Sequence, residues 1–100
     1  MKYGEVLEHV KEGGLAARKG WNGKGMFIFL RPADTLTADF IVNKVKSLPG
    51  ALKEWVAEHH GENDEIKFRA YLCLKAADGT IANGWLPSQT DMLAEDWELV

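Results

Sequence analysis

Cysteine is scarce in this sequence, and a long apolar run is absent. The single cysteine among 100 residues, Cys73, has no partner for a disulfide within the chain. The first residues carry an acid where a signal peptide turns apolar, so we expect a reducing, cytoplasmic location. No apolar run approaches the ~20 residues that a membrane-spanning helix needs. These absences predict a soluble protein that neither needs oxidation nor enters a membrane.

An excess of basic residues is also missing. Lys and Arg total 12 and Asp and Glu total 15, which gives a formal net charge of −3. A dedicated DNA or RNA binder usually carries a basic face, so this balance argues against a nucleic-acid polymer as partner. The 46% hydrophobic and 27% charged residues are ordinary for a globular protein and exclude a disordered tail, a collagen-like repeat and a coiled coil. We expect one domain over residues 1–100.

Metal and cofactor motifs are absent. His59 and His60 are neighbours, so on a helix they point about 100° apart and cannot chelate one ion together. No His-Glu-x-x-His motif and no paired cysteines are present. The sequence predicts no metal site and no cofactor.

Catalytic motifs are absent as well. Ser88 lacks the Gly-x-Ser-x-Gly elbow of a nucleophile, and Cys73 fits a buried, inert thiol. Asp91, Glu95 and Asp96 cluster near the C-terminus, where they could perform acid–base chemistry. Charges that flank a short helix are more often caps or surface groups. We therefore expect no catalytic residue and no enzyme.

Hydrophobic periodicity predicts an α+β fold. Apolar residues at helical spacing run from Tyr3 to Val10 and from Leu52 to His59, and glycines follow both segments. Residues 33–48 favour a third helix, capped by Thr35 or Thr37, or a loop with one helical turn. Ser88 is a candidate cap for a further short turn. Strands are expected at 15–19, 26–31, 66–75, 80–86 and 96–100, the third and fourth joined by an Asp78-Gly79 hairpin turn.

These elements make a small, mostly antiparallel sheet of about five strands with two or three short helices. The strand Met26–Arg31 has apolar side chains on both faces, so both faces require a cover. In so small a domain the second cover could be another subunit, which predicts a homo-oligomer.

The segment Gly20–Gly25 is the best local candidate for an anion site. Three glycines in six residues allow backbone N–H groups to converge, and Arg18, Lys19 and Lys24 add positive charge. Trp21, one of four tryptophans, offers a flat face to a base. Neither the P-loop pattern nor the dinucleotide fingerprint is present. On local grounds a tight turn with solvated lysines explains the segment better than an anion site does.

Two longer segments, Ala17–Phe27 and Asp78–Trp97, resemble the signature stretches of the Thoeris anti-defence type 2 family of small phage and prophage proteins. The resemblance implies a sponge that binds a cyclic ADP-ribose isomer, the alarm signal of bacterial Thoeris immunity, and sequesters it without cleavage. It also implies an α+β homotetramer, built as a dimer of dimers, with pockets between subunits. Some members also bind cyclic di- or trinucleotides. This resemblance does not extend to the middle of the chain, roughly residues 32–65.

Carried onto this sequence, the resemblance assigns a ligand site to both segments. Trp21 would stack on adenine, and Lys24, Arg18 and the glycine-loop amides would meet the pyrophosphate. Trp85 and Met92 would line the pocket, whereas Trp97 is assigned to the core; a packing role fits Arg18 and Trp85 equally well. The candidate partners for ribose hydroxyls and the base edge are Asn22, Ser88, Gln89, Thr90 and Asp91.

Two alternatives stay open. A small hydrolase of cyclic or ADP-ribosyl nucleotides would use Asp91, Glu95 and Asp96 as its acid–base set. A protein-binding inhibitor would block a host factor through its aromatic surface.

Overall fold

A computed structural model describes residues 1–100 and divides them into two compact units. The first unit comprises Met1–Pro32 and Ala70–Val100, and the second comprises Ala33–Arg69. In chain order the helices and strands are α1 (Tyr3–Lys11), β1 (Ala16–Arg18), β2 (Phe27–Arg31), β3 (Asp34–Thr37), α2 (Ala38–Asn43), α3 (Gly50–His59), β4 (Glu65–Phe68), β5 (Tyr71–Lys75), β6 (Ile81–Asn83), α4 (Gln89–Leu93) and β7 (Trp97–Leu99).

The first unit is a five-stranded sheet with a helix packed on it. The strand order is β6-β5-β2-β1-β7 and every pairing is antiparallel. Val6 and Val10, one turn apart on α1, are completely buried, as their helical spacing predicts. Gly13 ends this helix region with a φ of 99°, which only glycine adopts readily. The core that forms there consists of Val6, Val10, Ala16, Ile28 and Trp97.

Strand β2 lies at the centre of this sheet and has the two apolar faces that the sequence predicts. Ile28 is completely buried and belongs to the core beneath α1. Phe27 and Phe29 alternate with it and so lie on the opposite face, where both are half-buried. Cys73, opposite Phe29 in the register, is completely buried, which confirms the expectation of a buried thiol.

The second unit has its own small core. Strands β3 and β4 form a two-stranded antiparallel sheet, and α2 and α3 contribute Ala38, Ile41 and Val56 to the core. The Thr37 Oγ1 atom accepts a hydrogen bond from the Phe40 N–H at 3.2 Å, so Thr37 caps α2. Thr35 lies within β3, a strand that the sequence did not predict.

The α+β class and the five-stranded antiparallel sheet are confirmed, but one predicted strand is divided. Residues 66–75 alternate without interruption, yet β4 ends at Phe68 and pairs with β3, whereas β5 begins at Tyr71 and pairs with β2. Period-two alternation of apolar residues predicts a strand but does not show which strand it pairs with. The sequence pattern therefore could not reveal that the pairing partner changes between Phe68 and Tyr71.

The predicted hairpin is present with a shorter return strand. The N–H of Gly79 donates to the Ala76 carbonyl at 3.0 Å, within the turn between β5 and β6. Strand β6 ends at Asn83 because Gly84 follows with a φ of 81°, outside the range of a strand. The Trp85 N–H still reaches the Leu72 carbonyl at 2.7 Å, so the chain continues beside β5. No helix in the structure combines the length and the apolar character that crossing a bilayer demands.

Candidate functional site

The loop between β1 and β2 has an unusual backbone. Lys19–Trp21 forms a short 3-10 turn, after which Asn22, Gly23 and Gly25 have φ values of 58°, 65° and 71°. These angles lie in the left-handed region, which glycine enters without a Cβ clash and asparagine tolerates. The sequence prediction of an irregular glycine loop is confirmed.

This loop leaves several backbone donors unused. The Asn22 N–H donates to the Lys19 carbonyl at 3.0 Å, and the Gly20 N–H donates to Asp96 Oδ2 at 2.9 Å. By contrast, the N–H groups of residues 23–25 donate to no other atom of the chain, and the exposed Lys24 makes no ion pair. Successive N–H groups in turns that include a left-handed residue are one of the arrangements with which proteins bind anions.

A cavity of about 240 Å³ lies beside the same loop. Trp21 and residues 23–27 line it, together with Arg18 of β1. Glu98 and Val100, on or just after β7, also line it. The cavity therefore combines an aromatic ring, a free ammonium group and a carboxylate. Glu98 was missed by sequence reasoning, although strand alternation places it opposite to the buried Trp97.

Arg18 holds two carboxylates in the same unit. Its Nη1 atom donates to Asp91 Oδ1 at 2.8 Å, and its Nε atom donates to Asp96 Oδ1 at 2.9 Å. The side chains of Arg18 and Asp91 are each 16% exposed, so water screens this pair only partly. The single positive charge of Arg18 is thus already matched by two negative charges.

The ion network lowers the pKa of both acids. Burial acts to raise the pKa of Asp91, but hydrogen bonds from Ser88 and Arg18 outweigh it, so the pKa lies below its ordinary value. The hydrogen bond from Arg18 is the largest influence on Asp96 and lowers the pKa of that carboxyl as well. The same contacts, with Asp96 first, raise the pKa of Arg18. All three groups are therefore charged at neutral pH.

Helix α4 begins with a reciprocal capping arrangement. The Ser88 hydroxyl accepts from the Asp91 N–H at 3.1 Å, and the Ser88 N–H donates to Asp91 Oδ2 at 3.0 Å. This confirms Ser88 as the cap that the sequence predicts. The Trp97 Nε1–H donates to the Asp91 carbonyl at 2.8 Å, which ties the helix to the core. Gln89, Thr90 and Met92 are exposed on α4.

Three tryptophans form one cluster. Trp97 is 1% exposed, which confirms its assignment to the core. Trp21 and Trp85 both meet it edge-on, with ring centroids 5.4 Å and 6.3 Å away, and they are 6.4 Å from each other. Because Trp21 also lines the cavity, one residue connects the core and the cavity.

The predicted ligand residues therefore fall into two linked groups. Arg18, Trp21 and Lys24 line the cavity. The second group lies on or before α4 and does not line it; its members are Trp85, Ser88, Gln89, Thr90, Asp91 and Met92. The Arg18–Asp91 ion pair and the contact of Trp21 with Trp85 join the two groups. Asn22 lies beside the cavity at the end of the 3-10 turn without lining it.

No three His, Cys, Asp or Glu side chains among residues 1–100 are arranged to hold one metal ion. The acidic cluster around Arg18 is held by the guanidinium group instead.

Comparison with known proteins adds a whole-chain similarity. Residues 1–100 match the family described as the Thoeris anti-defense 2-like domain. The chain is also 40% identical over 100 residues to Thoeris anti-defense 2 of Bacillus phage SP01, an alignment that covers 100% of this chain and 94% of the phage protein. The similarity therefore includes residues 32–65, where the sequence offered no recognisable pattern.

Proposed function

This chain belongs to the Thoeris anti-defense 2-like family, and on that premise we propose that it is a phage-type anti-defence sponge. Its ligand is a cyclic ADP-ribose isomer, the signal of Thoeris immunity, which it binds without cleavage in the cytoplasm of the host bacterium. The immune effector then receives no signal. The observation that carries this proposal is the loop at residues 23–25, which lines a cavity and whose N–H groups and Lys24 ammonium have no partner within the chain.

The loop chemistry fits the pyrophosphate of such a ligand. Backbone N–H groups and a lysine ammonium are the usual partners of phosphate oxygens, and hydrogen bonds to a charged acceptor are stronger than neutral ones. Lys24 provides a charge that no carboxylate of the chain neutralises. Arg18, which is already matched by Asp91 and Asp96, takes a positioning role between the cavity and α4 in this proposal.

The remaining groups fit the nucleoside part. Trp21 stacks on the adenine, and Asn22, Gln89 and Thr90 offer exposed polar groups to the ribose hydroxyls and the base edge. Trp85 and Met92 complete the apolar wall. Ser88 and Asp91 already satisfy each other and support α4, with the remaining lone pairs available to ligand donors.

The ionisation of Asp91 and Asp96 favours sequestration of the ligand over its hydrolysis. A general acid needs a proton near neutral pH, so its pKa must be high. The pKa values of Asp91 and Asp96 are lowered instead, by hydrogen bonds that include those from Arg18. Two of the three acids that the hydrolase would use, Asp91 and Asp96, are thus held ionised by Arg18.

The size of the cavity favours a site shared between copies of the chain. Its volume of about 240 Å³ is below the roughly 300–1,000 Å³ of ordinary small-molecule pockets. A sponge that competes at nanomolar signal needs about −12 kcal/mol, which requires an enclosed ligand. Leu86, which precedes α4, and Leu93, the last residue of α4, are 86% and 80% exposed and supply apolar surface for a partner copy. We propose a homotetramer, a dimer of dimers, with pockets between subunits.

The experiment is to recover the ligand after binding. Purified protein is mixed with each of several cyclic ADP-ribose isomers, with cyclic di- and trinucleotides as further arms, then freed of unbound ligand and denatured. Release of one isomer, intact and in stoichiometric amount, supports the sponge. Linear or truncated products that accumulate beyond the protein concentration would show a hydrolase.

A further inference from the structure

We propose that Lys75 is a positioning residue for the ligand loop, here defined as Asn22–Gly25. This inference rests on the proposed function and adds a residue to that site. Lys75 lies on β5, some 50 positions from the loop along the chain, and no feature of the sequence connects the two.

The contact that carries the inference is a single hydrogen bond. The Lys75 Nζ atom donates to the Gly25 carbonyl oxygen at 2.9 Å. The same ammonium group lies 5.8 Å from the centre of the Phe27 ring, the residue opposite Lys75 in the β2–β5 register. Gly25 and Phe27 both line the cavity. Lys75 is therefore fixed by two residues of the site without lining the cavity itself.

The loop has no other side-chain support over its last three residues. Among residues 1–100, Lys75 is the one side chain that forms a hydrogen bond with residues 23–25. Two of these, Gly23 and Gly25, have positive φ, a conformation that glycine leaves easily. A loop with so few restraints pays an ordering cost when it binds a ligand, and a restraint that is already present in the free protein reduces that cost.

The direction of the contact matters for the ligand as well. The Gly25 carbonyl and the Met26 N–H belong to one planar peptide group and point in opposite directions, so the contact with Lys75 fixes the direction of that N–H. A flip of this peptide would exchange the two groups and place a carbonyl oxygen, which repels phosphate, where the N–H was. Lys75 thus keeps the polarity of the loop suited to an anion.

The test compares three variants with the wild type. Lys75→Met removes the donor and its charge, Lys75→Arg restores both, and Lys67→Met removes an exposed lysine on β4 of the second unit. For each protein we measure the thermal midpoint, the backbone ¹⁵N order parameters of residues 22–26 in the free state, and the dissociation constant for the cyclic ADP-ribose isomer that the wild type binds most tightly.

We expect Lys75→Met to lower the order parameters of the loop and to weaken ligand binding by about tenfold, the loss of one charge-assisted hydrogen bond. Lys75→Arg should recover most of that loss, and Lys67→Met should match the wild type. Unchanged loop order parameters in Lys75→Met overturn the inference, whatever the ligand result. If Lys75→Met does not fold, the same decision rests on Lys75→Val, which has no donor and favours a strand. Failure of the wild type to bind any isomer overturns the proposed function, which the loop order parameters do not measure.

Discussion

Arg18 and Asp91, 73 positions apart in sequence, form an ion pair in which Arg18 Nη1 donates to Asp91 Oδ1 at 2.8 Å. Asp91 also caps α4 through Ser88, so one carboxylate joins β1 to the start of that helix. The two segments that carry the predicted ligand residues are connected by this pair. Its removal should therefore change both stability and binding.

Asp91→Asn should destabilise the fold by about 1–3 kcal/mol, between the values for exposed and buried ion pairs. The amide keeps the size of the side chain and loses the charge that Arg18 requires. Urea unfolding measures the change. Glu95→Gln is the matched control, since Glu95 is an exposed acid outside the network, and it should stay within about 0.5 kcal/mol of the wild type. Equal stability of the two variants would contradict a supporting role for the ion pair.

Acid should weaken the fold through the same carboxylates. The folded-state pKa values of Asp91 and Asp96 lie below their ordinary values, so their stabilisation is fully present above the unfolded pKa of about 3.9. As the pH falls through the lowered folded values, that stabilisation is lost. Between about pH 5 and 8 both carboxyl groups stay ionised, so we expect them to cause no change in the thermal midpoint. Below about pH 4 we expect the thermal midpoint to fall. The decline should be shallower in Asp91→Asn.

Trp21→Ala should weaken ligand binding by about 5- to 150-fold, because stacking on one base is worth about 1–3 kcal/mol. The same change should lower stability, since Trp21 packs edge-on against Trp97. Binding is therefore measured by calorimetry at a temperature where both proteins are folded. Trp55→Ala is the control: Trp55 lies on α3 of the second unit, is 49% exposed, and its loss should leave affinity unchanged. Similar affinity losses in both variants would remove Trp21 from the site.

Lys24→Gln should weaken binding by about tenfold and make it less dependent on salt, because one charge-assisted contact to phosphate is lost. Stability should not change, since Lys24 is exposed and has no ion-pair partner. Titrations at two ionic strengths measure the effect. Lys46→Gln, an exposed lysine of the second unit, provides the control. A Lys24 variant with wild-type affinity at low salt would place the phosphate elsewhere.

Local signals in the sequence predicted much of the fold. The apolar stripe of α1, the Asp78-Gly79 turn and the Ser88 cap each depend on residues within one or two turns of chain. Such short-range patterns reflect local physics and can be recognised without a structure. The strand Asp34–Thr37 was missed because three of its four residues are polar, so no apolar alternation marks it.

Long-range relationships could not be predicted in the same way. The Arg18–Asp91 ion pair and the contact of Lys75 with Gly25 join residues 73 and 50 positions apart. Nothing in either local sequence specifies such a partner, because strand order decides which residues meet. Composition marked the loop around Gly23 as a candidate anion site, whereas Glu98 and Lys75 were added only by the folded arrangement.

The central claim, that copies of this chain hold a cyclic ADP-ribose isomer in a loop-bordered pocket, is tested most directly by isothermal titration calorimetry on the purified protein. Each isomer is titrated in turn, with linear ADP-ribose as a control. We predict saturable, nanomolar binding of at least one isomer, with a stoichiometry that fits a site shared between subunits. An absence of heat and of saturation for every isomer, at protein concentrations well above the micromolar range, would contradict it.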